Sequence, residues 1–477
     1  MTPLAWLLAM LACGGGARHS RALPSSSPKR VLNTPWWPAG TERTLESVGI
    51  LSRGLIFAST MMETNQTLPR QIRAELQDVG DICNAANTSI TNNHHTLVDC
   101  LVNVADEDDF EKKEGLIRHE FAREFGAENV PALTIVKISG EFTGLPTSTT
   151  CTAITDKASA SVKRVERGQI VAVTATPVQT EKGGKGEGAG SDDNNNDRYR
   201  YAWISMRDTA TDEKALSQVG DEIDSMLKND FNGNGAVDLV DCIAFLKGRS
   251  HGTRENGRNN GDHEDSLASI EAKKIRKWFE ELSSGKHKIK ASGKKEKSSG
   301  VLTIVKEEES RNHSLTSTAH SSSPPSFKLR CTAVLGSSKT SSHDFSSQLP
   351  SSSFSSSSST SSSSLPSSFP PSSVKTVVAG GFVYLSGAFS HTANATDALA
   401  NIATALEATN ESSLNLTVNC LYFGSQQLVM KYFEGFRYAF NENAPPPPTR
   451  GEFGATPAEC SGKDSCVSVI KCVAARK

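Results

Sequence analysis

Apolar residues return along this chain in one order three times. Gly54-Leu-Ile-Phe-Ala58, Gln169-Ile-Val-Ala-Val173 and Phe382-Val-Tyr-Leu385 are short apolar runs and predict strands. Each is followed by a stripe at helical spacing: Ile72, Leu76, Val79 and Ile82; then Leu216, Val219, Ile223 and Leu227; then Leu399, Ile402 and Leu406. Such a stripe makes one apolar face and leaves the other polar. Next come Leu97-Val-Asp-Cys100-Leu-Val, Leu239-Val-Asp-Cys242-Ile-Ala and Thr417-Val-Asn-Cys420-Leu-Tyr, read as strands. A second helix is predicted over 108–125, 266–282 and 426–440, and two strands close each unit. The last strand carries Cys151-Thr-Ala-Ile154, Cys331-Thr-Ala-Val334 or Cys472-Val-Ala-Ala475.

Helices with a single apolar stripe must lie on one side of a sheet. The fold class expected is therefore α+β, each unit a mixed sheet with two helices on one face. The strand–helix–strand crossover makes part of that sheet parallel. Units are expected at 46–157, 160–335 and 374–477. The Ser-rich stretch 336–373 reads as a linker that builds no core. The polar stretch 181–198 is either an insertion in the second unit or a linker before it, and Tyr199–Ile204 is a further strand without a firm place.

Composition narrows the partners. The 477 residues carry 51 basic and 53 acidic side chains, a net charge of −2, so no charge excess points to nucleic acid or an anionic membrane. Residues 1–22 read as a secretory signal: Leu4–Ala12 is apolar, small residues follow, and cleavage is expected near Ala17 or Ala22, although no Lys or Arg precedes the run. The segment is too short to span a bilayer. The expected destination is the secretory pathway or the outside, with a plastid reached by that route as a variant. Asn65, Asn87, Asn312, Asn394, Asn410 and Asn415 head glycosylation sequons.

Several motifs carry candidate chemistry. Asp230, Asn232, Asn234, Asp238 and Asp241 stand at the oxygen-donor positions of an EF-hand-like loop, with Gly235 at its sharp turn, which makes calcium the one cofactor to test. Against it, the flanking helix would begin at Leu239, where the other units predict a strand. Ser461-Gly-Lys-Asp-Ser465 resembles a phosphate-binding word of ATP pyrophosphatases but has no α/β domain after it, so it reads as a polar hairpin. His94-His95 reads as a solvated loop. Cys100, Cys151, Cys242, Cys331, Cys420 and Cys472 read as small apolar core residues. In a secreted protein the two Cys strands of a unit could instead be bridged, and side-chain facing decides which. Among the other cysteines, Cys460 and Cys466 are the favoured disulfide.

The order of elements and several local words resemble the RidA/YjgF family, also called the endoribonuclease L-PSP family. Val383-Tyr-Leu-Ser386-Gly387 resembles its second strand, Ala398–Leu406 its first helix, and Pro447-Pro448-Thr449-Arg450 its Pro-Pro-Ala-Arg word. The resemblance implies a chorismate-mutase-like fold, homotrimers with pockets between subunits, and hydrolysis of enamines and imines to keto acids and ammonia. It implies that Arg450 binds a substrate carboxylate through a bidentate fork, with Ser386 and Gly387 lining the site. The matching positions in the first two units are Leu133 and Leu302. The family's last-strand glutamate, which positions water, aligns with Thr150, Arg330 and Lys471, and its second-helix Asn falls near Phe433 and Glu114. The Ser-Gly word aligns with Ala58-Ser59 and Thr174-Ala175.

Three joined units in a family of homotrimers imply a single-chain pseudo-trimer, its units packed on each other. With no catalytic residue confidently retained, the leading expectation is a degenerate binding or scaffold module with one small-carboxylate pocket. An active imine/enamine deaminase and a calcium-binding extracellular protein are the alternatives.

Overall fold

A computed structural model describes residues 28–32, 34, 47–60, 66–88, 90, 96–105, 109–138, 147–155, 161–177, 199–231, 237–247, 261–283, 300–307, 325–335, 341–344, 374–424, 428–440, 448–453, 455–458 and 466–477. The expected signal segment, His94-His95 and the 461–465 word lie outside the described residues; of the Ser-rich stretch 336–373, residues 341–344 are described and form a strand paired with Lys375–Val378, so that part is not plain linker.

The chain is α+β, built on three sheets. Sheet one holds β1 (Arg30–Leu32), β2 (Gly49–Ser52), β3 (Leu55–Ser59), β4 (Leu97–Ala105), β5 (Ala132–Ile138) and β6 (Thr147–Ile154), with helices α1 (Leu68–Ala85) and α2 (Phe110–Phe125). Its order is β1-β2-β3-β6-β4-β5. Sheet two holds β7 (Lys163–Arg167), β8 (Ile170–Ala175), β9 (Arg200–Ala210), β10 (Val237–Lys247), β11 (Val301–Glu307) and β12 (Ser326–Leu335), with α3 (Glu213–Ser225) and α4 (Gly261–Ser283). Sheet three holds β13 (Ser341–Asp344), β14 (Lys375–Ala379), β15 (Phe382–Leu385), β16 (Ala388–Ser390), β17 (Thr417–Gly424), β18 (Thr449–Phe453) and β20 (Ser468–Ala475), with α5 (Thr396–Ala408) and α6 (Val429–Ala439). Sheets two and three repeat the strand order of sheet one. The strand β19 (Ala455–Pro457) leaves sheet three and pairs antiparallel with β11 at the edge of sheet two.

The apolar stripes explain one face of each sheet. Ile72, Leu76, Val79 and Ile82 of α1 pack with Ile117 and Phe121 of α2 over Cys100, Val102 and Cys151. Equivalent cores hold Leu216, Ile223, Ile275 and Phe279 over Cys242 and Cys331, and Leu399, Ile402, Tyr432 and Phe436 over Cys420 and Cys472. Helix starts are set locally: Pro69 occupies the first turn of α1, and Asp212 accepts from the Ala215 amide, 2.9 Å, ahead of α3. The six core cysteines form three disulfides, Cys100–Cys151, Cys242–Cys331 and Cys420–Cys472. Each joins directly opposed residues of antiparallel strands, with Cα atoms 4.1–4.2 Å apart. Cys466 is also disulfide-bonded.

The opposite sheet faces meet one another. Phe57, Trp203 and Tyr384 stand opposite Thr152, Thr332 and Val473, the residue after the second Cys in each sheet. They join one shared core with Tyr201 and Phe382. A β-bulge precedes the first Cys in every sheet, between Leu97 and Asp99, Leu239 and Asp241, and Thr417 and Asn419. The extra residue lets two consecutive side chains lie on the inter-sheet side. One is Val98, Val240 or Val418, each buried in the shared core, and the other is Asp99, Asp241 or Asn419.

One alignment is corrected. Gln169–Val173 does not match the strand beside the last one: β8 is one place further out, and β9 pairs with β12. Both strands are apolar runs, so pattern alone could not rank them. Residues 178–198 therefore connect paired neighbours within sheet two.

Candidate functional site

Strand register fixes which residues correspond. Leu133, Leu302 and Arg450 each pair in parallel with the first Cys of their sheet. Thr150, Arg330 and Lys471 pair with Leu101, Ile243 and Leu421, one residue beyond that Cys. The partners of Thr150 and Arg330 on the adjoining strand are Ser59 and Ser205. The Ser-Gly word of sheet three thus corresponds to Ser59-Thr60 and Ser205-Met206, not to Ala58-Ser59 and Thr174-Ala175. A one-residue offset and the misplaced β8 account for the difference.

Three seams join the sheets. At the first, Arg330 of β12 grips Asp99 of β4 with both arms of its guanidinium; Nε lies 3.2 and 3.1 Å from the two carboxylate oxygens, and Nη2 closes the fork. Asp99 is 2% exposed, and its burial raises its pKa against the opposing pull of Arg330. Two residues along β12, Lys328 donates to the Ile135 carbonyl, 2.8 Å, and to Glu114 of α2, 3.3 Å, with its ammonium 4.5 Å from the Phe110 ring centre. The Ser205 hydroxyl donates to the Leu133 carbonyl, 2.8 Å, and meets Thr134, 2.9 Å. The first seam is filled by the chain's own groups.

The second seam repeats the scheme with other side chains. Lys471 of β20 pairs with Asp241 of β10 and donates to the Leu385 carbonyl at 2.9 Å. Burial lowers the Lys471 pKa, while Asp241 opposes that shift. The Gly387 amide donates to Thr303 at 2.8 Å. A Cβ on Gly387 would lie 2.4 Å from Val469 and 2.9 Å from Thr303, so glycine is needed for this close approach. The Ser386 hydroxyl accepts from the Lys375 amide, 2.9 Å.

The third seam differs. Strand β18 lies beside β3 and β6 of sheet one, and the Ser47 amide donates to the Pro448 carbonyl, 3.3 Å. At the register of the two ion pairs stand Thr150, 4% exposed, and Asn419, whose side-chain oxygen accepts from Thr449 within its own sheet, 3.0 Å. Ser148 occupies the place of Lys328 and accepts from Asn103, 2.9 Å. Arg450 lies on β18 at the register of Leu133 and Leu302. The structure does not gather the three expected substrate-site residues. Ser386 and Gly387 serve the second seam and Arg450 the third, where Ser59 and Thr60 take the Ser-Gly place.

The expected calcium donors are also divided. Asp230 accepts from Arg167, 2.8 Å, at the end of a π-helical extension of α3. Asp238 and Asp241 lie on β10, a strand where an EF-hand needs a helix, and Asp241 belongs to Lys471. Asn232 and Asn234 lie outside the described residues. Among the described residues no three His, Cys, Asp or Glu side chains converge as metal ligands.

Sequence reasoning passed over Glu75. It is 2% exposed on α1 and accepts from Thr147 at 2.6 Å and from Thr149. Burial pushes its pKa up to about 7 although both hydroxyls favour the anion. Thr149 in turn exchanges hydrogen bonds with Thr60, 3.1 and 3.3 Å, at the end of β3. A lone Glu in an otherwise apolar helical stripe was the available signal.

No family model matches the sequence and no curated protein is similar to it. Solved structures with a similar fold include YyfA of Yersinia pestis, a protein of unknown function of the conserved Rid family, at 16% identity over 26% of this chain and 98% of that one, TM-score 0.21. TdcF of E. coli, solved with bound serine, gives the same coverages, identity and TM-score. A chorismatase is similar over 80% of this chain and 93% of its own, at 10% identity and TM-score 0.40.

Proposed function

We propose that this chain is three RidA-like units closed into a pseudo-trimer, largely degenerate as an enzyme, which binds one small carboxylate at its third seam through Arg450. The observation that carries the reading is the unequal treatment of one register. Where the family aligns its glutamate, two seams hold Arg330 and Lys471 in ion pairs, and at the third the corresponding registers carry Thr150 and Asn419. None of the three can serve as a carboxylate base. At the third seam Arg450 replaces a residue that is buried leucine in the other sheets. A guanidinium is permanently charged and its fork matches a carboxylate, so arginine at this register suits recognition of a small carboxylate. Tethering holds the units at high effective concentration and frees each seam to diverge.

Three disulfides within the cores support folding in an oxidising compartment, in keeping with a secretory destination. No described helix is long and apolar enough to cross a membrane.

The decisive assay generates an enamine in place with a dehydratase and follows keto-acid release, with Arg450→Ala as control. No acceleration by folded protein is expected. Acceleration lost in Arg450→Ala would replace the degenerate reading by an active deaminase. Light scattering should give the mass of one chain; three chains per particle would contradict closure within a chain.

A further inference from the structure

Two of the sequons occupy the same place in different sheets. Asn87 and Asn410 are each the second residue beyond the first helix of their sheet, after Ala85 of α1 and Ala408 of α5. Both backbones are left-handed, with φ of 56° and 57°. Each amide closes its turn onto the helix end, Asn87 to the Asn84 carbonyl at 2.8 Å and Asn410 to that of Glu407 at 3.0 Å. Glycine is the usual residue here, and asparagine is the side chain that tolerates the conformation with least strain. Both side chains are exposed. Both continue as sequons, Asn87-Thr88-Ser89 and Asn410-Glu411-Ser412. Both sit at the ends of helices that cover the outer sheet faces, away from the ion pairs of the seams.

Asn394 provides an internal contrast. It also heads a sequon, Asn394-Ala395-Thr396, but its side-chain oxygen accepts from the Thr396 hydroxyl, 3.0 Å. Its carbonyl lies so close to α6 that a Cβ on Gly435 would approach it to 1.8 Å. Asn394 is thus half-buried, with its side-chain oxygen held by the threonine of its own sequon. Asn415 is exposed as well, within the short turn Leu414–Leu416.

We propose that Asn87 and Asn410 are N-glycosylated and that Asn394 is not. The inference rests on the secretory reading of the chain, not on the carboxylate site. The donor is a polyprenyl-pyrophosphate-linked oligosaccharide, supplied with its transferase by that compartment. The asparagine amide nitrogen attacks the anomeric carbon, the bond from that carbon to the pyrophosphate oxygen breaks, the polyprenyl pyrophosphate leaves, and the amide nitrogen gives up one proton.

The test expresses the full chain in secreting eukaryotic cells, once with its own N-terminus and once behind a cleavable leader of proven function. Secreted protein is treated with peptide N-glycosidase in heavy-oxygen water, and sites are read by mass spectrometry. Label at Asn87 and Asn410 with Asn394 bare is the expected result. Asn87→Asp and Asn410→Asp keep a side chain suited to the left-handed turn. Each should lose one glycan and still be secreted. Bare Asn87 and Asn410 from the leader-fused chain would overturn the assignment of these turns. Modification only behind the added leader would show competent turns that the native chain never delivers, and would overturn the proposal through its secretory premise.

Discussion

At the seam between sheets one and two, a buried Asp99 is held by a forked Arg330, and Lys328 fills the space beside it. At the seam between sheets three and one, the same positions are Asn419, Thr150 and Ser148. Strand order and the bulge before the first Cys are alike in all three sheets, so backbone geometry does not cause the difference. Side-chain charge at these registers separates a seam that holds an ion pair from one whose corresponding positions are neutral. In a homotrimer a substitution appears in every seam at once, whereas in a single chain each seam can change by itself.

The largest effect should come from breaking a charged seam from one side. Arg330→Leu strands Asp99 in the shared interior, and denaturant unfolding should show a loss of about 3–5 kcal/mol. Adding Asp99→Leu should restore most of it, because removing both charges leaves no unpaired ion. Failure of the second change to rescue would mean that the pair matters for more than its charge.

Loss of one core disulfide comes next. Cys420→Ala with Cys472→Ala opens a loop spanning 51 intervening residues and should cost about 4 kcal/mol by chain entropy, read as a lower unfolding midpoint. A pH-dependent difference follows from Glu75. Its folded pKa lies near 7, above the ordinary carboxylate value, so its contribution to stability is fully present below about pH 4.5 and is lost as pH rises through 7. Glu75→Gln removes that dependence. Its advantage over the parent should grow between pH 5 and pH 8 to about 1–3 kcal/mol, and a flat difference would show that Glu75 is ionised throughout. The smallest change in stability, within about 1 kcal/mol, should come from Thr150→Lys with Asn419→Asp, which writes the second seam's pair into the third. That variant should keep its fold and lose carboxylate binding.

Much of the fold was legible in the chain. The stripe of Ile72, Leu76, Val79 and Ile82 could only be the buried side of a helix, and the recurring Cys words fixed the central strands. Sheet two was harder, since β8 and β9 are both apolar runs and the stretch between them hides that they pair. The ion pairs were encoded as Asp before the first Cys and Arg or Lys before the second. Their meeting across sheets needs the packing of separate units, which local periodicity does not contain. For the same reason Ser386 and Arg450 looked like one site: they belong to one sheet, but Ser386-Gly387 borders sheet two while β18 borders sheet one.

The most direct test of the account is calorimetric titration of the whole chain with pyruvate as a small carboxylate probe, repeated on Arg450→Ala and on the Thr150→Lys, Asn419→Asp variant. The account predicts one site per chain, absent from both variants. A stoichiometry of three, or binding that survives both changes, would contradict it.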